Sequence, residues 1–335
     1  MEYRARNMLT SVVIRTHNEE RHLDELLTQL GRQHSRRTRL ELVLVDSGST
    51  DRTLDIARRH GCRITHIAKE DFTFGRSLNV GCDFANGELL AFVSGHCVPV
   101  DEDWLDRLVA PLLDGQADYA YGRQLGHGPT KFSERCHFDK WFPEYSKVPQ
   151  QDFFCNNANA ALTRATWSRY RFDEELTGLE DMFLARRLVA DGGKVAYVAD
   201  AGVYHIHDET WRQVRLRYER EAIALQRIMP EVHFSLLDFL AYYGRALVSD
   251  MGAARRAGLM PGKTFEIAAF RLMQYWGTWR GNHEHRKLSA SRKHNYFYPR
   301  DLEKHAYERP QDRGPAADEG QQRAGQRQEL QAPRQ

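Results

Sequence analysis

The residues best suited to chemistry stand where apolar runs of this sequence stop. One run ends in Ser94, Gly95 and His96, whereas a strand end that binds a metal often carries two aspartates there. Further along, His205 and His207 are spaced so that both imidazoles lie on one face of a strand. A neutral imidazole ligates transition-metal ions, and a protonated one neutralises an anion. His96 and His207 are therefore a candidate two-imidazole metal site. The alternative is that His205 and His207 are only two partly exposed histidines on an edge strand.

A pair of carboxylates forms the second candidate group. Glu180 and Asp181 come directly before apolar residues at helical spacing, so the pattern predicts that they begin a helix. The positive end of the helix dipole favours carboxylates there. A carboxylate held in this way can take a proton as a general base. The alternative is that the pair only stabilises the helix N-terminus.

Two more apolar runs end in polar residues. Residues 11–14 and 42–45 consist of serine, valine, isoleucine and leucine, a composition typical of buried strands. An aspartate after such a strand can accept hydrogen bonds from a ribose hydroxyl or a base, or it can cap the following turn. The candidates at these two ends are Thr16, His17, Asn18, Glu19, Asp46, Ser47 and Gly48.

The order of these segments predicts an α/β fold. Runs at 11–14, 42–45, 63–67 and 89–93 are predicted strands, with helical segments between them. Near-continuous apolar strands joined by helices indicate a parallel sheet that helices cover on both faces. Ligands of such sheets bind beyond the carboxyl ends of the strands, where the candidate residues lie. The chain lacks GxGxxG after the first strand and lacks GxxxxGK[ST], which argues against dinucleotide-binding and P-loop proteins.

Composition narrows the class of protein. The 335 residues suffice for one large domain with an appendage, and 41% hydrophobic with 28% charged residues is typical of a globular protein. The net charge of +2 gives no reason to expect a nucleic-acid partner. Five scattered cysteines without a CxxC pair favour a reducing compartment. The sequence starts without an apolar signal segment and has no uncharged run of about 18 residues, so we expect a cytoplasmic protein.

Several motifs, in order, carry a resemblance to a known family. They are VVIRTHNEERHLDELLTQL, VLVDSGSTDRT, FGRSLNVG, LLAFVSGHCVPVDEDWL, NNANAAL and GLEDMFLARRL. Across residues 10–211 the sequence resembles the family-two glycosyltransferases. The resemblance implies the GT-A fold, a Rossmann-like and mostly parallel sheet covered by helices. It also implies transfer of a sugar from a nucleoside diphosphate donor to an acceptor hydroxyl, with inversion at the anomeric carbon, in the synthesis of a surface polysaccharide or glycolipid.

The resemblance further implies roles for single residues. Asp181 takes the place of the family's catalytic base, and Glu180 is its orienting neighbour. Ser94 and Gly95 join the residues of the first two strand ends as donor contacts, together with Arg76. The expected acceptor or sugar pocket involves Asn156, Asn157 and Trp211, and the equal alternative for the two asparagines is a turn and strand edge.

The family usually binds a divalent ion, Mn²⁺ or Mg²⁺, through an Asp-x-Asp motif. This sequence has Ser94, Gly95 and His96 at that place, so the resemblance implies a metal whose ligands are His96 and His207. The alternative is that no metal binds and a cationic histidine, helped by Arg76, neutralises the leaving diphosphate. The missing aspartates also motivate a catalytically silent nucleotide-sugar-binding protein as the alternative function. A metal-dependent hydrolase is the third hypothesis, although no HExxH motif is present.

The chain is expected to divide into three segments. They are a catalytic domain over 1–232, a helical region over 233–307 and a disordered tail over 308–335, which is poor in apolar residues. The basic and aromatic helices of the second segment either pack on the catalytic domain or form a peripheral contact with the inner face of the membrane. The expected partners are a nucleoside diphosphate sugar and a glycan or lipid-linked acceptor.

Overall fold

A computed structural model describes residues 8–34, 36–284, 288 and 290–299. Within these ranges eight strands form a single sheet in the order β3-β2-β1-β4-β7-β6-β8-β5. The strands are β1 (Leu9–Thr16), β2 (Arg39–Asp46), β3 (Arg63–His66), β4 (Leu89–Ser94), β5 (Cys97–Pro99), β6 (Tyr119–Gly126), β7 (Asn159–Thr163) and β8 (Val195–His205).

The described ranges also contain eleven α-helices, and a 3₁₀ turn at Lys69–Asp71 follows β3. The helices are α1 (Leu23–Gly31), α2 (Thr53–Arg59), α3 (Phe74–Phe84), α4 (Trp104–Leu113), α5 (Phe132–Trp141), α6 (Arg164–Tyr170), α7 (Glu180–Ala190), α8 (Trp211–Ile228), α9 (Leu236–Arg256), α10 (Thr264–Asn282) and α11 (Ala290–Phe297).

The four strands predicted from the sequence pair in parallel, as expected. β1 lies between β2 and β4, and β2 also pairs with β3. The register places Thr16 opposite Asp46 and Arg15 opposite Ser94. Because parallel strands end at the same edge of a sheet, the three polar strand ends lie side by side. β7 is antiparallel to both β4 and β6, and β8 returns parallel to β6, so the predicted mostly parallel sheet is confirmed.

Alternate residues of the central strands bury on opposite faces of the sheet. Val12 and Ile14 of β1 pack with the apolar sides of α1 and α4, whereas Val13 packs with α3 and α7. Trp104, fully buried at the start of α4, donates its indole N–H to Asn159 Oδ1 at 2.9 Å. A sheet that is buried on both faces needs apolar side chains at every position, which explains the continuous apolar runs.

The second half of the sheet ends in a short antiparallel pair. β5 pairs with β8, and Cys97 lies opposite His205. The backbone N–H of Ile206 continues this pairing and donates to the carbonyl of His96 at 3.1 Å. The idea that His205 and His207 sit partly exposed on an edge strand is therefore wrong for His205, because β8 lies between β6 and β5 and this histidine is buried.

The C-terminal helices pack on the rest of the chain along one side. α10 lies along α8, and Arg271 of α10 forms a buried ion pair with Asp250 of α9 at 2.7 Å. The same guanidinium donates to the carbonyl of Ser133 in α5 at 3.1 Å. None of the described helices is both long and apolar enough to cross a bilayer. The domain boundary after residue 232 stays a prediction, and the tail from 308 lies outside the described residues.

We expect Gly81→Ala to destabilise the protein. A Cβ at Gly81 of α3 would lie 2.4 Å from Val13 Cγ1 and 2.8 Å from Val45 Cγ2, so helix and sheet would have to separate. Overpacking of this kind costs about 1–3 kcal/mol of unfolding free energy, which urea unfolding measures. Gly244→Ala in α9 is the control, because nothing lies within 4 Å of its Cβ. That variant should gain about 0.5–1 kcal/mol, and equal losses in both variants would contradict the packing argument.

Candidate active site

A cavity of about 1020 Å³ opens at the edge of the sheet where the strands carry their polar residues. The strand ends form one wall, and α5, the start of α7 and α8 form the others. The fold thus brings together most of the side chains that the sequence singled out. The predicted residues that line the cavity are Thr16, His17, Glu19, Ser47, Ser94, Gly95, His96, Asn156, Asn157, Glu180, Asp181 and His207.

Three predicted donor contacts shape the loops beside the cavity and do not line it in the described structure. Asp46 Oδ2 accepts the backbone N–H groups of Gly48 and Ser49 at 2.9 and 3.0 Å. Gly48 has φ +85°, so the turn uses a conformation that glycine favours. Asn18 accepts the N–H of Thr50 at 2.8 Å and ties the first loop to the second. Turn capping is what the structure shows for Asp46, and its contact with a nucleoside stays a prediction.

Two other predicted residues also lie away from the lining of the cavity in the described ranges. Arg76 donates from Nε to Glu174 at 2.9 Å, and from Nη1 to the carbonyl of Asp71 at 3.1 Å. Trp211 begins α8 and packs under the ammonium of Lys131, whose Nζ lies 5.0 Å from a ring centroid. The donor role of Arg76 and the acceptor role of Trp211 stay predictions without support from this placement.

Asp181 stands at the start of α7 with both oxygens fixed. Oδ2 accepts the N–H of Asn157 at 2.8 Å, and Oδ1 accepts the N–H of Met182 at 2.7 Å. Burial, and next the negative charge of Glu180, raise the pKa of Asp181 to about 7. A carboxylate with this pKa exchanges protons near neutrality, which suits a general base.

Glu180 connects the start of α7 to the first strand. Arg15 Nη1 lies 3.5 Å from Glu180 Oε1 and donates to the carbonyl of Phe74 at 3.3 Å. Leu179, which precedes the pair, has φ +57°, and a leucine in this left-handed conformation is strained. This unusual backbone turns the chain directly ahead of the two carboxylates.

Several other ionisable groups face Asp181. They are Glu180 on its own helix, Arg15 of β1, Tyr119 of β6 and Cys155 of the loop before β7. Burial raises the pKa of both Tyr119 and Cys155 well above their usual values, so these two stay neutral near pH 7. The charge on Asp181 is therefore opposed by Glu180 and supported by Arg15 and two backbone N–H groups.

Three imidazoles gather at the other side of the cavity. The rings of His96 and His205 lie 5.1 Å apart, and His205 and His207 have their Nε2 atoms 2.8 Å apart. Burial, and next the neighbouring His207, lower the pKa of His205 well below its ordinary value, which keeps this ring neutral. The candidate ligand atoms of the three residues all lie within 4.8 Å of one another, so the set fits a metal ion.

Gly95 and Glu19 hold the first of these imidazoles in place. Glu19 Oε1 lies 3.1 Å from His96 Nδ1. A Cβ at Gly95 would lie 2.9 Å from Glu19 Cγ and 3.3 Å from the carbonyl oxygen of Arg15. Gly95 is therefore packed closely against the side chain of Glu19.

An aromatic wall lines the cavity on the side of α5, and it was not predicted from the sequence. Trp141 stacks on Phe154 at 5.1 Å and is 44% exposed, and Tyr145 is 65% exposed. Phe154 precedes Asn156 and Asn157 by two and three residues, so the wall adjoins the segment whose backbone contacts Asp181. The available signal was the aromatic content of the segments FDKWFPEY and DFF.

No local sequence pattern predicts several other residues of the site. Glu134 of α5 contacts His207, and Gln124 of β6 contacts His205, across 73 and 81 positions of sequence. Arg217 of α8 donates to Glu134 at 2.5 Å and to Glu209 at 2.7 Å. Only the folded chain brings these partners to the histidines.

We expect Asp181→Asn to change how stability depends on pH. The carboxyl has a reference pKa of 3.8 and a folded pKa of about 7. The stabilisation by its protonated form is complete below the reference value and is lost as pH rises through about 7. The melting temperature of the variant relative to the parent should therefore increase between about pH 5 and about pH 8. A difference that stays constant over this range would show that Asp181 ionises normally.

The fold is that of a GT-A protein. The mannosyltransferase PcManGT of Pyrobaculum calidifontis, solved in complex with GDP-Man and Mn²⁺, superposes with a TM-score of 0.55 at 20% identity. The superposition covers 79% of this chain and 85% of that one. This likeness confirms the predicted fold class.

Sequence comparison finds similar proteins. Residues 11–171 match the sequence model of glycosyl transferase family 2, so this segment is similar to that family. The O-antigen chain rhamnosyltransferase RfbN of Salmonella typhimurium is 29% identical over 191 residues, which cover 53% of this chain and 60% of that protein. The poly(ribitol-phosphate) β-N-acetylglucosaminyltransferase TarS of Staphylococcus aureus is 22% identical, covering 70% of this chain and 40% of that protein. The chain thus spans less than two thirds of the length of either relative.

Proposed function

We propose that the protein is an inverting glycosyltransferase that moves a sugar from a nucleoside diphosphate to an acceptor hydroxyl. The observation that carries this proposal is Asp181, a buried carboxylate with a pKa of about 7 that borders the cavity behind the polar strand ends. A silent nucleotide-sugar-binding protein would have no use for a carboxylate held in this state. The match of residues 11–171 to the family model and the GT-A fold support the same conclusion.

The donor is proposed to lie along the strand ends. Thr16, His17 and Ser47 offer hydrogen-bonding groups for the nucleoside, and Ser94 can bond a ribose hydroxyl. These groups share the cavity with Asp181, and the sugar would lie between the two. The PcManGT complex contains GDP-Man, which supports a nucleotide-sugar donor for this chain as well.

The chemistry follows from the position of the base. Asp181 takes the proton of the acceptor hydroxyl while the acceptor oxygen forms a bond to the anomeric carbon. The bond from that carbon to the diphosphate oxygen breaks on the opposite face, and its electron pair leaves with the diphosphate. The hydrogen bonds from Asn157 and Met182 hold the carboxylate still, so its remaining lone pairs point in a fixed direction.

A divalent ion is proposed to assist the departure of the diphosphate. The imidazoles of His96 and His207, with His205 beside them, are the groups that would hold it, and they fit because neutral imidazole is a good ligand. Such an ion supplies positive charge that stabilises the leaving oxygen anions. The PcManGT complex contains Mn²⁺, which supports a divalent ion without identifying it.

The acceptor is proposed to be a glycan or a lipid-linked glycan. The aromatic wall formed by Trp141, Tyr145 and Phe154 offers flat apolar surfaces beside polar groups, and sugar rings have the same mixture of faces. RfbN is named as a rhamnosyltransferase of the O-antigen chain, and TarS as an N-acetylglucosaminyltransferase that acts on poly(ribitol-phosphate). Surface polysaccharide or glycolipid synthesis is therefore the proposed pathway class for this chain.

We expect Asp181→Asn to lower the rate of transfer and leave donor binding intact. Loss of a general base typically costs about 10²–10⁴-fold in kcat. A thermal-shift screen of nucleoside diphosphate sugars would first identify the donor, and labelled sugar would then report turnover. Asp208→Asn is the matched control, because Asp208 lines the same cavity but is half exposed and pairs with Arg21 on the surface.

The pH profile adds a second measure of the same role. Transfer by the parent should rise as pH increases through about 7, because Asp181 must lose its proton before it can act. Near-normal turnover of the Asp181→Asn variant with a saturating acceptor would mean that another group is the base. A donor that binds without transfer to any acceptor would favour the silent binding protein.

A peripheral contact with an anionic membrane is proposed for α9. Leu237, Leu240 and Val248 lie on one face of this helix and are 77%, 56% and 74% exposed. Exposed Arg245 shares that face, and Arg255, with its basic neighbour at 256, follows at the end of the helix. An apolar stripe with flanking cations is the pattern of a helix that lies in a membrane interface.

We expect this helix to bind vesicles that contain anionic lipid. Sedimentation with phosphatidylglycerol vesicles should retain the parent and release the double variant Leu237→Gln, Val248→Gln, because two buried apolar side chains would be lost. Neutral phosphatidylcholine vesicles serve as the comparison. Equal sedimentation of parent and variant would remove the membrane proposal, and the predicted cytoplasmic location would then stand without it.

A further inference from the structure

Each of the three cavity imidazoles has an oxygen atom at hydrogen-bonding distance from its Nδ1. The other ring nitrogen of each histidine, Nε2, contacts none of these three oxygens. Nδ1 is 3.1 Å from Glu19 Oε1 in His96, 2.7 Å from Gln124 Oε1 in His205 and 2.6 Å from Glu134 Oε1 in His207.

Oxygen acceptors at Nδ1 decide which nitrogen carries the proton. A neutral imidazole that donates from Nδ1 keeps a lone pair at Nε2, and that lone pair is what binds a metal. The Nε2 atoms of His205 and His207 lie 2.8 Å apart. Two lone pairs at this distance repel each other unless a proton or a metal ion lies between them. The arrangement is therefore suited to a cation at this point.

Glu134 is the more deeply buried of the two carboxylates among these three acceptors. It is 1% exposed, and its Oε1 lies 2.5 Å from Arg217 Nη2 as well as 2.6 Å from His207 Nδ1. The packed helix α5 thus holds the carboxylate of Glu134 between the guanidinium of Arg217 and one ring nitrogen of His207.

Arg217 in turn has a second carboxylate. It donates from Nε to both oxygens of Glu209 at 3.1 Å, and from Nη2 at 2.7 Å. Arg217 is therefore anchored from two sides, and it cannot move far from Glu134. This chain of contacts joins α5, α8 and the loop before α8 behind the imidazole of His207.

We propose that Glu134 is the positioning residue of a three-imidazole centre, formed by His96, His205 and His207, that takes a transition-metal ion such as Zn²⁺ or Co²⁺ in preference to Mg²⁺. The role of the ion in catalysis rests on the proposed function, but the binding of the ion does not. Imidazole nitrogen suits Zn²⁺ and Co²⁺, whereas Mg²⁺ requires oxygen ligands. A carboxylate behind a ligating histidine fixes the ring and raises its basicity, and its loss costs about 10–100-fold in metal affinity.

A purely structural role for Glu134 predicts something different. In that case the ion pair with Arg217 only joins α5 to α8, and its loss would lower stability without a specific effect on metal affinity. A centre formed by Glu134, His207 and Glu209 is the other arrangement that the distances permit. If that centre binds the ion, loss of either carboxylate would weaken the affinity for the ion equally.

The test is a titration of the full chain, stripped with EDTA, with Co²⁺ alone and then with Zn²⁺ and Mg²⁺. Calorimetry gives the affinities, and the visible absorption of bound Co²⁺ reports its ligands. We expect Co²⁺ and Zn²⁺ to bind at least about tenfold more tightly than Mg²⁺. Glu134→Gln should weaken Co²⁺ binding by about 10–100-fold.

Glu209→Gln is the matched control for that variant. It removes a carboxylate from the same arginine and leaves the partner of His207 Nδ1 in place, so Co²⁺ affinity should stay within about threefold of the parent. Equal weakening in the two variants would overturn the positioning role of Glu134. Equal affinity of the parent for Mg²⁺ and Co²⁺ would overturn the three-imidazole centre.

His96→Ala keeps the proposal testable if Glu134→Gln does not fold. The side chain of His96 is 24% exposed at the cavity, so its truncation places little strain on the core. The variant should lose at least about tenfold in Co²⁺ affinity and change the visible spectrum. An unchanged spectrum would exclude His96 as a ligand. Transfer of sugar without any Co²⁺ binding would defeat this proposal alone, whereas Co²⁺ binding without any transfer would defeat only the proposed function.

Discussion

The antiparallel pairing of β5 with β8 is the contact on which the arrangement of the cavity depends. It sets Cys97 opposite His205, and thereby brings the end of β4 next to the segment that carries two histidines. Three residues of β5 are enough, because the pairing continues in the hydrogen bond from Ile206 to the carbonyl of His96. Without this pairing the imidazoles would lie more than a hundred positions apart with no reason to meet.

The second constraint is the cost of holding charge inside that cavity. Asp181 is ionised only at a cost, since burial and Glu180 both oppose its charge. Two backbone N–H groups offset part of this cost and fix the direction of the carboxylate, and the charge of Arg15 offsets a further part. On the histidine side Arg217 has the same function for Glu134 and Glu209. Both ends of the cavity therefore place a cation behind a buried anion. The C-terminal helices support this arrangement from outside, because α10 packs along α8 and also holds α5.

Local sequence was enough to predict the parallel strands, the polar strand ends and the carboxylate pair at a helix start. These features depend on apolar periodicity and helix-start chemistry, which involve residues within a few positions of one another. The sequence was less informative where a polar residue could serve either a turn or a ligand. Asp46 and Asn18 cap loops in the structure, and Arg76 pairs with Glu174, so a polar residue near a strand end was not sufficient to place it in the cavity.

The partners that surround the histidines and the Glu180–Asp181 pair are set by the folded chain alone. Glu134 and Gln124 reach their histidines across more than seventy positions, and Arg15 reaches Glu180 across 165. No local pattern marks such residues, because their role comes from the packing of helices and the register of distant strands. The raised pKa of Asp181 likewise follows from the tertiary structure, because burial is its main cause and the residue is buried only once the chain has folded.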